Sequence, residues 1–221
     1  MSQLVIITGT TGSGKTTTAR EFIAQADDLW LHFGVDIMLG AMMPRKFVDG
    51  GPRGEEGIHI EPDDPADPDG PAHLSFGRFG AGLIGTYHRM VRTAIESGQR
   101  VVMDHVMTAN PPILQDAVER FADLPALFVA LKPPQAILGQ RIAGRIAEVE
   151  KVLGKEHAAR NNEGTRRASE FISREIFTHD CFDMVIDTGR LSPAEAARAI
   201  LDRVETGPPG EALRRLASEL D

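Results

Sequence analysis

An apolar run, Leu4-Val5-Ile6-Ile7, leads into Gly9-Thr10-Thr11-Gly12-Ser13-Gly14-Lys15-Thr16. These eight residues fit the phosphate-loop pattern G-x-x-x-x-G-K-[ST], and no other stretch restricts the fold as much. The pattern asks for a strand, a tight loop and a helix, in that order. Glycines let the loop curl until successive N–H groups point inward at an anion. The next stretch, Thr16 to Ala26, is expected to be helical, so that its positive end, with Thr16 and Thr17 in the first turn, faces the same anion. Lys15 supplies a mobile point charge for the β- and γ-phosphates. The Thr16 hydroxyl is the expected protein ligand of a magnesium ion. By accident the pattern would arise in roughly one chain of this composition in two hundred. The expected ligand is therefore a nucleoside triphosphate with magnesium, held by Gly9, Thr10, Thr11, Gly12, Ser13, Gly14, Lys15, Thr16 and Thr17.

The 221 residues suffice for one sizeable core and are few for two. A net charge of −8 without a basic stripe argues against nucleic acid as the partner. The single cysteine, Cys181, cannot form an internal disulfide, which fits a cytoplasmic protein. It lacks an activating His or Asn arrangement, so a packing role is expected. The amino end shows neither the basic segment nor the long apolar segment of a signal peptide. No apolar run reaches the ~20 residues that a membrane span needs.

Short apolar runs alternate with helical patterns, which predicts βαβ units and a parallel sheet. The expected strands are Leu4–Thr8, Trp30–Phe33, Arg100–Met103, Leu127–Leu131 and Met184–Asp187. Among the helices, Phe79–Ser97 carries an apolar stripe at Leu83, Tyr87, Val91 and Ile95 and stops at Gly98. Pro111 is expected to open a helix running to Ala122. Ser192, Pro193 and Glu195 form a helix start with a capping box. These features place residues 1–205 in one domain. Residues 44–71, rich in Pro, Gly and acid, read as an exposed or partly mobile excursion, either a plain surface loop or a substrate-covering flap. Residues 141–167, basic and polar, are expected to form a lid. Residues 206–221 form an amphipathic tail that docks on the body or on a second copy, which leaves a homo-oligomer open.

Ligands of open α/β sheets sit outside the carboxyl ends of the strands. Asp104 closes Val101-Val102-Met103-Asp104, the Walker B pattern, and is the expected second magnesium ligand. Asp36 follows the second strand, where an acceptor would enter. It is either the base that takes a proton from an acceptor hydroxyl or the N-cap of a short helix, Ile37–Met42. Of the arginines in the lid, at least one of Arg141, Arg145 and Arg166 is expected to close over the triphosphate. The seven histidines do not cluster at metal-ligand spacing, and His32 and His105, beside the key strands, are expected to be structural.

Taken together, Gly9–Thr16, Leu29-Trp30-Leu31-His32-Phe33-Gly34-Val35-Asp36, Ala41-Met42-Met43-Pro44 and Val101-Val102-Met103-Asp104 resemble the chloramphenicol phosphotransferase-like family. The resemblance implies an adenylate-kinase-like P-loop NTPase fold, a three-layer α/β/α sandwich with a five-stranded parallel sheet. It implies transfer of the γ-phosphate of ATP to a hydroxyl of a small molecule, as in modification of an antibiotic. The family's catalytic aspartate falls on Asp36, its strand-end acid on Asp104, its lid arginine on Arg166, and its Asp-Thr near the adenine on Asp187-Thr188. The catalytic set is thus Asp36, Lys15, Arg141, Arg145 and Arg166, with Thr188 added to the nucleotide site. Residues 44–71, the lid and the tail depart from the family pattern. Alternatives are a zeta-toxin-like kinase, a nucleotide or nucleoside kinase, and a non-catalytic nucleotide switch. No [NT]-K-x-D guanine motif is present.

Overall fold

The strand expected at the amino end, β1 (Leu4–Thr8), lies at the centre of a five-stranded sheet in this computed structural model. The structure describes residues 2–153 and 155–220, with side chains at all of these except 145–146, 149–150, 152–165 and 220. In chain order the elements are β1, α1 (Lys15–Gln25), β2 (Trp30–Gly34), α2 (Val35–Met42), β3 (Ile58–Pro62), β4 (Ala72–Phe76), α3 (Gly80–Glu96), β5 (Arg100–His105), α4 (Ile113–Phe121), β6 (Ala126–Leu131), α5 (Gln135–Leu153), α6 (Lys155–Ile176), β7 (Met184–Ile186), α7 (Pro193–Thr206) and α8 (Ala212–Leu220).

The large sheet runs β2-β5-β1-β6-β7 and every pairing in it is parallel. Its strands read as unbroken apolar runs because both faces are covered. On β1, Leu4 and Ile6 enter one core with residues of α3, α4 and α8. Val5 and Ile7 enter the other, with residues of α1 and α7. That two-residue alternation makes the three-layer α/β/α sandwich. Among the described residues, no helix is long and apolar enough to cross a membrane.

Three expectations need correction. The α3 stripe buries Ile84, Tyr87, Val91 and Ile95, whereas Leu83 is only half-buried. Helix α4 begins at Ile113 with Pro112 at its N-cap, because a residue before proline is pushed out of helical conformation and Pro111 precedes Pro112. Residues 44–71 are largely structured. After 3₁₀ turns at Arg45–Phe47 and Gly54–Glu56, strands β3 and β4 pair antiparallel, with Ile60 opposite Leu74. The longest exposed stretch of residues 44–71 is the tip, residues 63–69, which carries Asp63, Asp64, Asp67 and Asp69.

The tail docks on the body: Ala212, Leu213 and Leu216 are buried in the same core as α4 and β6. Asp183 fixes its start by accepting the N–H groups of Glu211 at 2.7 Å and Ala212 at 3.0 Å. Cys181 packs beside it, its thiol 3.3 Å from the Ala212 carbonyl, and burial pushes that thiol up.

Candidate active site

Three glycines with positive φ shape the loop between β1 and α1: Gly9 at 153°, Gly12 at 81° and Gly14 at 98°. A side chain at Gly9 would also bring a Cβ within 2.5 Å of Ser13 Oγ and 2.7 Å of the Leu131 carbonyl. Lys15 reaches back across this loop and donates to the Thr10 carbonyl at 3.0 Å. Ser13 Oγ is buried with no hydrogen-bond partner among the described residues. A glycine-built cradle with a cation across it and an unmatched hydroxyl inside it fits a triphosphate.

The two residues expected to hold magnesium lie together. Thr16 Oγ1 donates to Asp104 Oδ2 at 2.5 Å, and His32 Nε2 bonds Asp104 Oδ1 at 2.8 Å. Burial pushes the Asp104 carboxyl up, but the hydrogen bonds from His32 and Thr16, with the charges of His32 and Lys15, hold it below the usual carboxylate range. An ionised carboxylate beside a hydroxyl is a hard oxygen pair of the kind magnesium takes alongside waters and substrate phosphates. No group of three or more His, Cys, Asp or Glu side chains arranged for a metal occurs among the described residues, so a fully protein-made cage is not on offer.

Asp36 lies in the first turn of α2, whose N-cap is Gly34, so it is not the cap of that helix. Among the described residues no hydrogen bond or ion pair engages its exposed carboxylate. Burial, then the charges of Asp104 and Asp36, push the Tyr87 hydroxyl well up, and that hydroxyl donates to the Phe33 carbonyl at 2.8 Å.

Of the arginines expected in a lid, Arg141 turns to the phosphate loop and Thr188. Its Nη2 donates to the Thr188 carbonyl at 2.6 Å and its Nη1 to Thr188 Oγ1 at 3.1 Å. Thr188 Oγ1 in turn donates to the Ser13 carbonyl at 2.8 Å. Arg166 is exposed on α6, and the side chain of Arg145 lies outside the described residues. Helix α6 itself touches the loop, since Thr10 Oγ1 donates to the Ser169 carbonyl at 3.1 Å.

A cavity of about 870 Å³ unites these parts. Thr11–Thr18, Asp104, Arg141 and Thr188 line one part, and Asp36, Ile58, Ile60, Leu74 and Ile172 line another. The family described as Chloramphenicol phosphotransferase-like protein matches residues 2–205. This chain belongs to that family.

It is accordingly a P-loop kinase, an enzyme of phosphoryl transfer. No match is found among curated proteins. Many solved structures share the fold, as two examples show. A sugar kinase from a Janibacter species aligns with TM-score 0.57 and 13% identity over 96% of this chain and 98% of its own. The tunicamycin resistance protein of Deinococcus radiodurans aligns with TM-score 0.54 and 19% identity over 93% and 96%. At such identities the likeness concerns fold alone.

Sequence reasoning missed how Asp104 is held. His32 was expected to be merely structural, yet it fixes one Asp104 oxygen while Thr16 takes the other. Gly34 leaves the necessary room: a Cβ there would lie 2.7 Å from Asp104 Oδ1. The signal was present in His32-Phe33-Gly34, where alternation puts His32 and Gly34 on one side of β2. Also unforeseen was Arg167, which donates to the Pro68 carbonyl and so ties α6 to the hairpin tip.

Proposed function

We propose that the protein is a magnesium- and ATP-dependent kinase that phosphorylates a hydroxyl group of a small molecule, with Asp36 as the proton acceptor. One observation carries the reading: a continuous cavity runs from the phosphate loop to an unengaged carboxylate. Catalysis of this kind is mostly positioning and electrostatics. Loop N–H groups and Lys15 would hold the phosphates. Thr16 and Asp104 would hold the metal, which when bound neutralises charge on the phosphate oxygens. Asp36 would orient the acceptor hydroxyl and take its proton. Arg141 would brace the loop through Thr188, while Arg145 and Arg166 are assigned to the charge on the transferring group.

A nucleotide or nucleotide-sugar acceptor is less well served. Its phosphate would want cations at the acceptor end, and the cationic side chains among the described lining residues are Lys15, Arg20 and Arg141, all on α1 or α5. A switch without an acceptor leaves Asp36 and the far half of the cavity unused.

Incubation of the purified protein with ATP, magnesium and a panel of alcohols, chloramphenicol first, tests the proposal. Mass spectrometry should find an acceptor that has gained one phosphate group, and Asp36→Asn should abolish the gain. ATP binding with no phosphorylated product from any acceptor would favour the switch.

A further inference from the structure

The acceptor end of the cavity is built almost wholly of aliphatic side chains. Strands β3 and β4 alternate strictly. Ile58, Ile60 and Leu74 turn to the cavity, whereas His59, Glu61 and His73 lie on the opposite side of the hairpin, with His73 Nδ1 2.7 Å from Asp63 Oδ1. Residues 44–71 look acidic in sequence, yet from that stretch only Ile58 and Ile60 reach the cavity. The exposed tip carries Asp63, Asp64, Asp67 and Asp69. Glu56 is held by Arg53 at 2.5 Å and Arg78 at 2.5 Å. Val35 and Leu39 of α2 and Ile172 of α6 continue the apolar wall.

Polar groups at this end are few and mostly engaged. Both oxygens of Asp104 are taken by Thr16 and His32. His105 Nδ1 accepts the Val106 N–H at 2.8 Å, and its Nε2 is buried with no hydrogen-bond partner among the described residues. That leaves Asp36 as the exposed, unengaged carboxylate at this end. Among the described lining residues there is no Phe, Tyr or Trp ring to stack on a base or arene, the imidazole of His105 being almost wholly buried, and no side-chain amide to pair with a base.

We infer that the acceptor is an uncharged alcohol with a single recognised hydroxyl on a largely aliphatic or alicyclic body. The inference rests on the kinase reading above and narrows it. A sugar or nucleoside would bring several hydroxyls against a wall without partners, and each unmatched polar group counts against binding. An aliphatic body gains from every methylene it buries. The wall therefore selects by apolar area, and Asp36 selects the one oxygen that reacts.

The test uses the full chain with magnesium-ATP and the linear primary alcohols from butanol to octanol, set against ribose, adenosine and chloramphenicol. The expected result is a rise in kcat/KM of roughly fourfold for each added methylene until the cavity fills, with far weaker turnover of ribose and adenosine. Replacing Ile60 by Thr should flatten that gradient while leaving ATP affinity unchanged. Calorimetric titration of hexanol and of ribose without nucleotide separates the two readings. Hexanol binding with a negative heat-capacity change but no turnover of any acceptor sinks the kinase reading and upholds the apolar wall. Turnover of ribose or adenosine above that of every alkanol, or a flat dependence on chain length, overturns the inference and leaves the kinase reading standing.

Discussion

Thr16 and Asp104 stand 88 positions apart in the chain, yet the threonine hydroxyl donates to the carboxylate at 2.5 Å. One follows the central strand and the other lies within its neighbour β5, where Ile7 pairs with Asp104 in register. Parallel pairing thus brings a phosphate loop and an acid together at the carboxyl ends of two inner strands, where ligands of open α/β sheets sit. Replacement of Asp104 by Asn should keep the side-chain shape, remove the charge and turn one of the two accepting oxygens into a donor. We expect kcat to fall by roughly 10²-fold or more, with the magnesium concentration for half-activity shifted upward, measured by ATP turnover over a magnesium titration.

Gly34 offers a subtler probe of the same pair. Its φ of −99° suits any residue, so backbone strain is not at issue. The space is: a Cβ would sit 2.7 Å from Asp104 Oδ1, an oxygen already fixed by His32. Gly34→Ala should therefore displace the carboxylate and impair magnesium dependence much as Asp104→Asn does. Its cost in thermal stability should stay at about 1–3 kcal/mol, typical of overpacking.

Asp36→Asn should lower kcat by about 10²–10⁴-fold and leave ATP affinity within about twofold, since the residue is expected to meet the acceptor and not the nucleotide. Equilibrium binding of a fluorescent ATP analogue alongside turnover measures both. An equal loss in both quantities would move Asp36 from the acceptor to the nucleotide.

How much of this was legible beforehand depends on the range of the signal. The phosphate loop is local: eight contiguous residues specify strand, loop and helix, and the strand runs are apolar because both faces are covered. Asp104 was legible because an acid at the end of an apolar strand is a local pattern too. The hairpin was not, because the alternation of Ile58-His59-Ile60-Glu61 is four residues long and its partner lies 14 positions away, across a run of prolines and acids that dominates any composition window. Arg141 was placed in the lid, but its target, Thr188, became visible only once α5 and the end of β7 met over the loop.

That contact makes its own prediction. Arg141 secures Thr188 by two bonds, and Thr188 secures the Ser13 carbonyl. Arg141→Ala should raise the KM for ATP by roughly tenfold, the loss expected for about 1.4 kcal/mol of binding. Thr188→Val should do so to a smaller degree, since Arg141 also reaches the Gly12 and Ser13 carbonyls itself at 3.4 Å, and the double variant should be less than additive because the two side chains bond each other and the same loop.

The last prediction concerns acid. His88 is fully buried; that burial lowers its pKa, and the hydrogen bond to Asp116 at 2.6 Å opposes the shift only in part. Burial pushes Asp116 up, but the hydrogen bonds from His88 and Arg120, with their charges, hold it well below the carboxylate range. Both shifts have the same sign for stability. Below about pH 6.5 the unfolded chain takes up a proton on His88 before the folded one does, so stability declines as pH falls from there toward the depressed folded value. Below about pH 4 the same holds for Asp116, whose contribution is present above its unfolded pKa and is lost as pH falls through the folded one. Urea midpoints measured across that range should therefore fall steadily toward acid. His88→Gln should flatten the upper part of the curve and Asp116→Asn the lower part. If the wild-type midpoint held constant down to about pH 4, His88 would have to be protonated in its buried site, and the Asp116 carboxylate would then be neutralising a full charge there.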